Sequence, residues 1–98
     1  MSDVFEMATI IARKGNQIKY RERMLCVQRE RLSNAKAEYK NTFNHRNGYV
    51  YIRTFGARLT KEEYKRQIEI VSRRIEELEA TKSQLERELT DILKTKVM

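Results

Sequence analysis

The chain has 98 residues, 36% of them charged and 8% aromatic, with no proline or tryptophan and a net charge of +7. That length makes one domain at most, and so much charge with so few aromatics excludes a large compact core. A composition rich in Ala, Glu, Lys, Leu and Arg, with apolar residues set in stripes, points to long helices that need a partner.

The first predicted element is a basic helix from Asp3 to Phe43. Val4, Ile11, Ile18, Leu25, Leu32 and Tyr39 recur every seven residues without a slip. The companion file is poorer: Met7 and Ala35 suit it, while Lys14, Arg21, Gln28 and Thr42 do not. Ile10, Tyr20, Met24 and Val27 broaden the apolar face. A stripe this thin makes a helix that is marginal alone and stable when packed. Lys14-Gly15-Asn16 reads in two ways. Glycine at C′ would end a short amphipathic helix begun by Asp3 and Glu6. The seven-residue phase instead passes through Gly15 undisturbed, which favours one continuous or slightly bent helix at a cost of about 1 kcal/mol relative to alanine.

Residues 44–59 form a connector of different character. His45-Arg46-Asn47-Gly48 carries turn chemistry. Tyr49-Val50-Tyr51-Ile52-Arg53-Thr54-Phe55 is dense in β-branched and aromatic residues and predicts an extended strand closed by Gly56. A hairpin would take either Lys40–Asn44 or Ala57–Leu59 as its second arm, although the segment between Gly56 and Thr60 is short for a full strand. On the extended strand Tyr49, Tyr51, Arg53 and Phe55 fall on one face, with Val50, Ile52 and Thr54 on the other.

The second helix, 60–96, has the clearest start in the chain. Thr60-Lys61-Glu62-Glu63 is a capping box, and Leu59 and Tyr64 stand at the two positions of a hydrophobic staple. Tyr64, Val71, Leu78, Leu85 and Ile92 repeat every seven residues; Ile68, Ile75, Lys82, Leu89 and Lys96 form a second file offset by four. The seam of Tyr64, Ile68, Val71, Ile75, Leu78, Lys82, Leu85, Leu89 and Ile92 is the expected assembly surface. Ile at 68 and 75 with Leu at 78 and 85 would suit a parallel dimer. The connector is equally long enough for the second helix to return antiparallel along the first, which is the preferred arrangement. The expected fold is mainly all-α: a single domain of two long helices in a coiled-coil hairpin, joined by a β-like connector and oligomeric.

Charge is unevenly placed. Residues 1–58 hold twelve Lys/Arg against five Asp/Glu, while residues 59–98 hold nine of each. A localised basic excess is the electrostatic footprint of a polyanion binder. Arg13, Lys14, Lys19, Arg21, Arg23, Arg29, Arg31, Arg46 and Arg53 are candidate phosphate contacts, with Tyr49 and Tyr51 as rings on which bases could stack. Solvated helices are also simply rich in Lys and Arg, so the signal is unspecific.

Catalysis is not expected. His45 is the only histidine, and Cys26, next to seam residue Leu25, lacks the base and oxyanion partners a nucleophile needs. Glu76, Glu77 and Glu79 lack metal-loop spacing. No catalytic, cofactor or metal site and no small-molecule substrate is expected. One cysteine gives no intramolecular disulfide, and no leader or membrane-spanning run is evident. The expected setting is intracellular, cytoplasmic or nuclear (or nucleoid), not secreted and not in a membrane.

Three functions follow, all non-enzymatic. The leading expectation is an assembly protein whose basic first helix and connector bind an acidic partner, nucleic acid first. The second is a chaperone-like or adaptor hairpin that grips another protein with Met7, Met24 and Leu25. The third is a structural subunit of a larger particle, viral included. Ala35-Lys36, Val50-Tyr51, Gly56 and Thr60-Lys61-Glu62, in this order along the chain, resemble the layout of β-type prefoldin subunits. That resemblance implies long helical hairpins that meet through a small β assembly.

Overall fold

The computed structural model describes residues 2–41 and 48–97. Helix α1 runs Ser2–Asn41, strand β1 Tyr49–Ile52, strand β2 Ala57–Thr60 and helix α2 Lys61–Val97. The helix–connector–helix order expected from the sequence is present, and the connector is a two-stranded ribbon. Gly15 lies inside α1, so the helix does not end there. The turn residues His45, Arg46 and Asn47, like Thr42, Phe43 and Asn44, lie outside the described residues. The chain divides into two compact units: Cys26–Glu76, and Met1–Leu25 together with Glu77–Met98.

The Cys26–Glu76 unit contains the ribbon. β1 and β2 are antiparallel, with Tyr49 opposite Thr60, Val50 opposite Leu59, Tyr51 opposite Arg58 and Ile52 opposite Ala57. The second arm is therefore Ala57–Thr60, and four residues suffice for it. The loop between the strands is Arg53–Gly56. The Phe55 amide donates to the Ile52 carbonyl at 3.1 Å and the Gly56 amide to the Arg53 carbonyl at 3.0 Å. Gly56 then turns the chain into β2 at φ +63°, a conformation that glycine adopts without steric cost.

Alternation along β1 decides which face is covered. Val50 and Ile52 are buried while Tyr49 and Tyr51 are exposed. Val50, Ile52 and Leu59 form one core with Ala35 of α1 and Tyr64 of α2; Tyr39, Phe55, Ala57 and Ile68 pack around it. Ala35 and Ile52 are both 0% exposed. A methyl group at position 35 lets the ribbon lie close against α1, where a longer side chain would hold it off. A two-stranded ribbon is marginal by itself in water, and this helical floor supplies its support.

Two polar contacts tie the ribbon's loop to α1. Glu38 Oε2 accepts from the Thr54 amide at 3.0 Å and from the Thr54 hydroxyl at 2.9 Å. The Arg31 guanidinium lies over the Phe55 ring, 5.5 Å from its centroid. Phe55 and Thr54 thus face α1 from the loop instead of continuing the strand's alternation. At the other end of β2, Thr60 Oγ accepts from the Glu63 amide at 3.1 Å, and its hydroxyl donates to Glu63 Oε1 at 3.1 Å. The threonine half of the capping box is present, while the Glu63 carboxylate meets the Thr60 hydroxyl in place of the expected Thr60 amide. Leu59 and Tyr64 complete the staple, both buried in the core.

In the other unit α1 and α2 run in opposite directions, since Lys14 meets Glu88 and Glu22 meets Lys82. Leu25, Leu78 and Leu85 are buried, and Met7, Ile11, Ile18, Met24, Leu89 and Ile92 are half-buried. Lys14, Arg21 and Lys82 occupy inward positions of the same pattern and are also half-buried. The two lysines are met by carboxylates at the edge of the contact. Lys14 Nζ bonds Glu88 Oε2, and Gln84 Nε2 donates to Glu88 Oε1 at 3.1 Å. Lys82 Nζ lies 3.6 Å from both Glu22 and Glu86. Pairs this open to solvent contribute little, so the leucines do most of the holding.

Candidate interaction surface

The structure separates the basic residues that the sequence groups together. Arg13, Lys19 and Arg23 are exposed on α1 in the first unit, and Arg29 and Arg31 are exposed on α1 in the ribbon-bearing unit. Lys14 and Arg21 turn towards the helix contact. Lys14 is held by Glu88, and Arg21 Nη1 donates to the Gln17 carbonyl one turn back at 3.2 Å. Arg53 is exposed in the ribbon loop, and Arg46 lies outside the described residues.

Regrouped by unit, the charge is sharply divided. Cys26–Glu76 holds twelve Lys/Arg against six Asp/Glu, and the rest of the chain nine against eight. Almost the whole basic excess therefore belongs to the ribbon-bearing unit. On the ribbon itself, Gly48 to Thr60, there are two arginines and no carboxylate.

The outer face of the ribbon is bare. Tyr49 is 49% and Tyr51 56% exposed, and exposed Arg58 stands directly across from Tyr51. Arg58 was not among the residues the sequence singles out. The Ala57-Arg58-Leu59-Thr60 alternation carries it, but only once β2 is recognised as a strand. At the loop end, Val27, Glu30, Arg31, Asn34, Glu38, Arg53 and Thr54 line an open hollow between α1 and the turn. Among the described residues β1 and β2 are the only strands, and each has an outer edge with no neighbouring strand. Such edges present rows of backbone donors and acceptors suited to another strand.

The α2 seam is covered by this chain's own residues. Tyr64, Val71, Ile75, Leu78 and Leu85 are buried, and Ile68, Lys82, Leu89 and Ile92 half-buried, within a single copy. Of the grip residues, Leu25 is buried and Met7 and Met24 are half-buried. Apolar exposure appears elsewhere in that unit: Phe5, 79% exposed, with Val4 and Ile10 on α1 and Leu93 on α2. Phe5 and Ile10 line a shallow hollow with Glu6, Thr9 and Arg13.

Two groups are electrostatically displaced. The hydrogen bond from Lys14, with that from Gln84 and the Lys14 charge, holds the Glu88 carboxyl below the usual range. Burial, with a smaller contribution from Tyr39, pushes the Tyr64 phenol up. Among the described residues no three His, Cys, Asp or Glu side chains converge to hold a metal ion, and no helix is long and apolar enough to cross a membrane. Cys26 is exposed. No family model, curated protein or solved structure matches the chain.

Proposed function

We propose that this chain is a non-enzymatic helical-hairpin subunit that assembles with other chains through its ribbon and holds another protein on exposed helical residues, its own helices paired as a coiled coil. The observation that carries the reading is the ribbon: Val50, Ile52 and Leu59 of its inner face are buried, while Tyr49 and Tyr51 are exposed and, among the described residues, neither strand has a second neighbouring strand. Bare aromatic rings beside unpaired strand edges are what a β-augmentation surface offers. The helix–ribbon–helix order is that of the β-type prefoldin subunits the chain resembles, and β2 supplies the strand such a ribbon requires. The holding surface is then Val4, Phe5, Ile10 and Leu93, which are more exposed than half-buried Met7 and Met24 or buried Leu25.

The test is an aggregation assay. A denatured protein diluted into buffer should scatter less light in the presence of the chain, and F5S/I10S should lose that effect with helicity unchanged. Equal scattering with and without the wild-type chain would remove the holding role.

A second reading, nucleic-acid binding, is favoured by the charge of Cys26–Glu76 and by the Tyr51–Arg58 pair. It predicts that affinity for DNA or RNA falls steeply between about 50 and 200 mM salt, as counterions are released. Absence of binding at the lower salt would exclude it.

A further inference from the structure

We infer that the ribbon's partner is an acidic chain presenting a strand, and not a second copy of this one. The inference rests on the ribbon being the assembly surface proposed above. Three observations define the chemistry of what can dock there.

The first is local charge. Arg53 and Arg58 are the only charged residues of the ribbon, and both are exposed. Arg58 lies within β2, so any strand paired along that edge runs past a guanidinium. Bidentate pairing makes a carboxylate the best neighbour for such a group, and another guanidinium the worst.

The second is the hollow at the loop. Arg31 is seated on Phe55 and so stands beside Arg53, with Asn34 as a further polar group. Of the two carboxylates there, Glu38 already accepts both Thr54 hydrogen bonds, leaving Glu30 on the rim. Two arginines and two glutamates thus balance in the hollow, which leaves Arg58 on β2 as the ribbon's cation outside it.

The third is the unit as a whole. Two copies meeting through Cys26–Glu76 would bring together two units of like net charge, each with twelve Lys/Arg against six Asp/Glu in its sequence. Charges inside such an interface lie closer than the Debye length of about 8 Å at physiological salt, so salt does not hide them. An acidic chain meets the same surface with attraction. Protein is favoured over nucleic acid because the free strand edges ask for backbone donors and acceptors in register, which a phosphate chain does not supply.

The experiment uses the chain itself as probe. R53E/R58E turns the ribbon acidic at two exposed positions, and R53Q/R58Q makes it neutral; circular dichroism checks that both keep wild-type helicity. Sedimentation at about 50 mM salt should show wild type and R53E/R58E each unassociated alone. Their mixture should form a complex, weakening about tenfold or more at about 500 mM salt. Wild type mixed with R53Q/R58Q should not. Wild-type self-association at low salt would overturn the inference and leave the ribbon as an assembly surface. Failure of every mixture to associate would overturn both. Binding of labelled single-stranded or duplex DNA by wild type, lost in R53E/R58E and without any mixed complex, would assign the basic surface to nucleic acid instead.

Discussion

Tyr39 of α1 and Tyr64 of α2 stack ring on ring, centroids 4.0 Å apart and planes within 8° of parallel. They stand beside Ala35, Val50, Ile52 and Leu59 and so join both helices to the ribbon. Burial raises the Tyr64 phenol first, and Tyr39 adds to it. A pKa raised by folding gives stability that is complete below the ordinary value of about 10 and is lost as pH rises through the folded value. Wild type should therefore lose stability above about pH 10, and Tyr64→Phe should flatten that loss while keeping the stack. Denaturant melts at stepped pH, read with tyrosinate absorbance, check it. Tyr64→Ala should cost about 3–5 kcal/mol, as for other large buried rings.

Glu88 responds to the opposite end of the pH scale. Its carboxyl is held low by the Lys14 and Gln84 hydrogen bonds and the Lys14 charge. Its contribution is present above the ordinary carboxylate pKa and disappears as pH falls through the lowered value. Glu88→Gln should therefore show a shallower acid loss than wild type. Lys14→Leu should weaken the same acid dependence, leaving the part due to Gln84. It should also raise Tm at neutral pH by a few degrees, because an apolar side chain suits that inward position better than a half-buried ammonium. A fall in Tm would show that the ion pair outweighs the packing.

The glycines should respond in opposite ways. A Cβ at Gly15 meets nothing within 4 Å, and the residue sits in a helix. Gly15→Ala should stabilise by about 0.5–1 kcal/mol. Gly56 also has open space around it, but its φ is +63°. Gly56→Ala should destabilise by about 1–2 kcal/mol through backbone strain alone. Thermal melts of the two variants side by side test both.

Ala35 marks how closely the ribbon lies on α1. Ala35→Leu should cost about 1–3 kcal/mol or more by overpacking, with Ile52→Ala costing about 2–5 kcal/mol from the other side of the same contact. Tolerance of leucine at 35 would show that the ribbon floats above the helix.

Much of this fold is legible in the sequence because helical periodicity imposes facing whatever the side chain. The files are buried or half-buried from Ile11 to Tyr39 and from Tyr64 to Ile92, as their spacing demands, with Val4 left exposed; Lys14, Arg21 and Lys82 are half-buried in the same pattern. β2 was harder to see. Leu59 is its one fully buried side chain, and its strand conformation depends on pairing with β1 across a loop closed by Gly56. The candidate surface was legible in part: Tyr49 and Tyr51 follow from alternation. Arg58 and the exposure of Phe5 depend on pairings that no local pattern encodes. The division of charge also emerges only when residues distant in sequence are gathered into one unit.

Thr60 ends a ladder and begins a helix: it faces Tyr49 across the ribbon, and its oxygen caps the Glu63 amide. One residue thus enforces a single melting event on two kinds of secondary structure. If β2 peels from β1, the first turn of α2 loses its cap, normally worth about 1 kcal/mol. If that turn frays, the last rung of the ladder goes with it. Thr60→Ala should therefore speed amide exchange on both sides of the substitution, in β1 as well as in α2. A chain docking along the ribbon would protect the helix start without touching it.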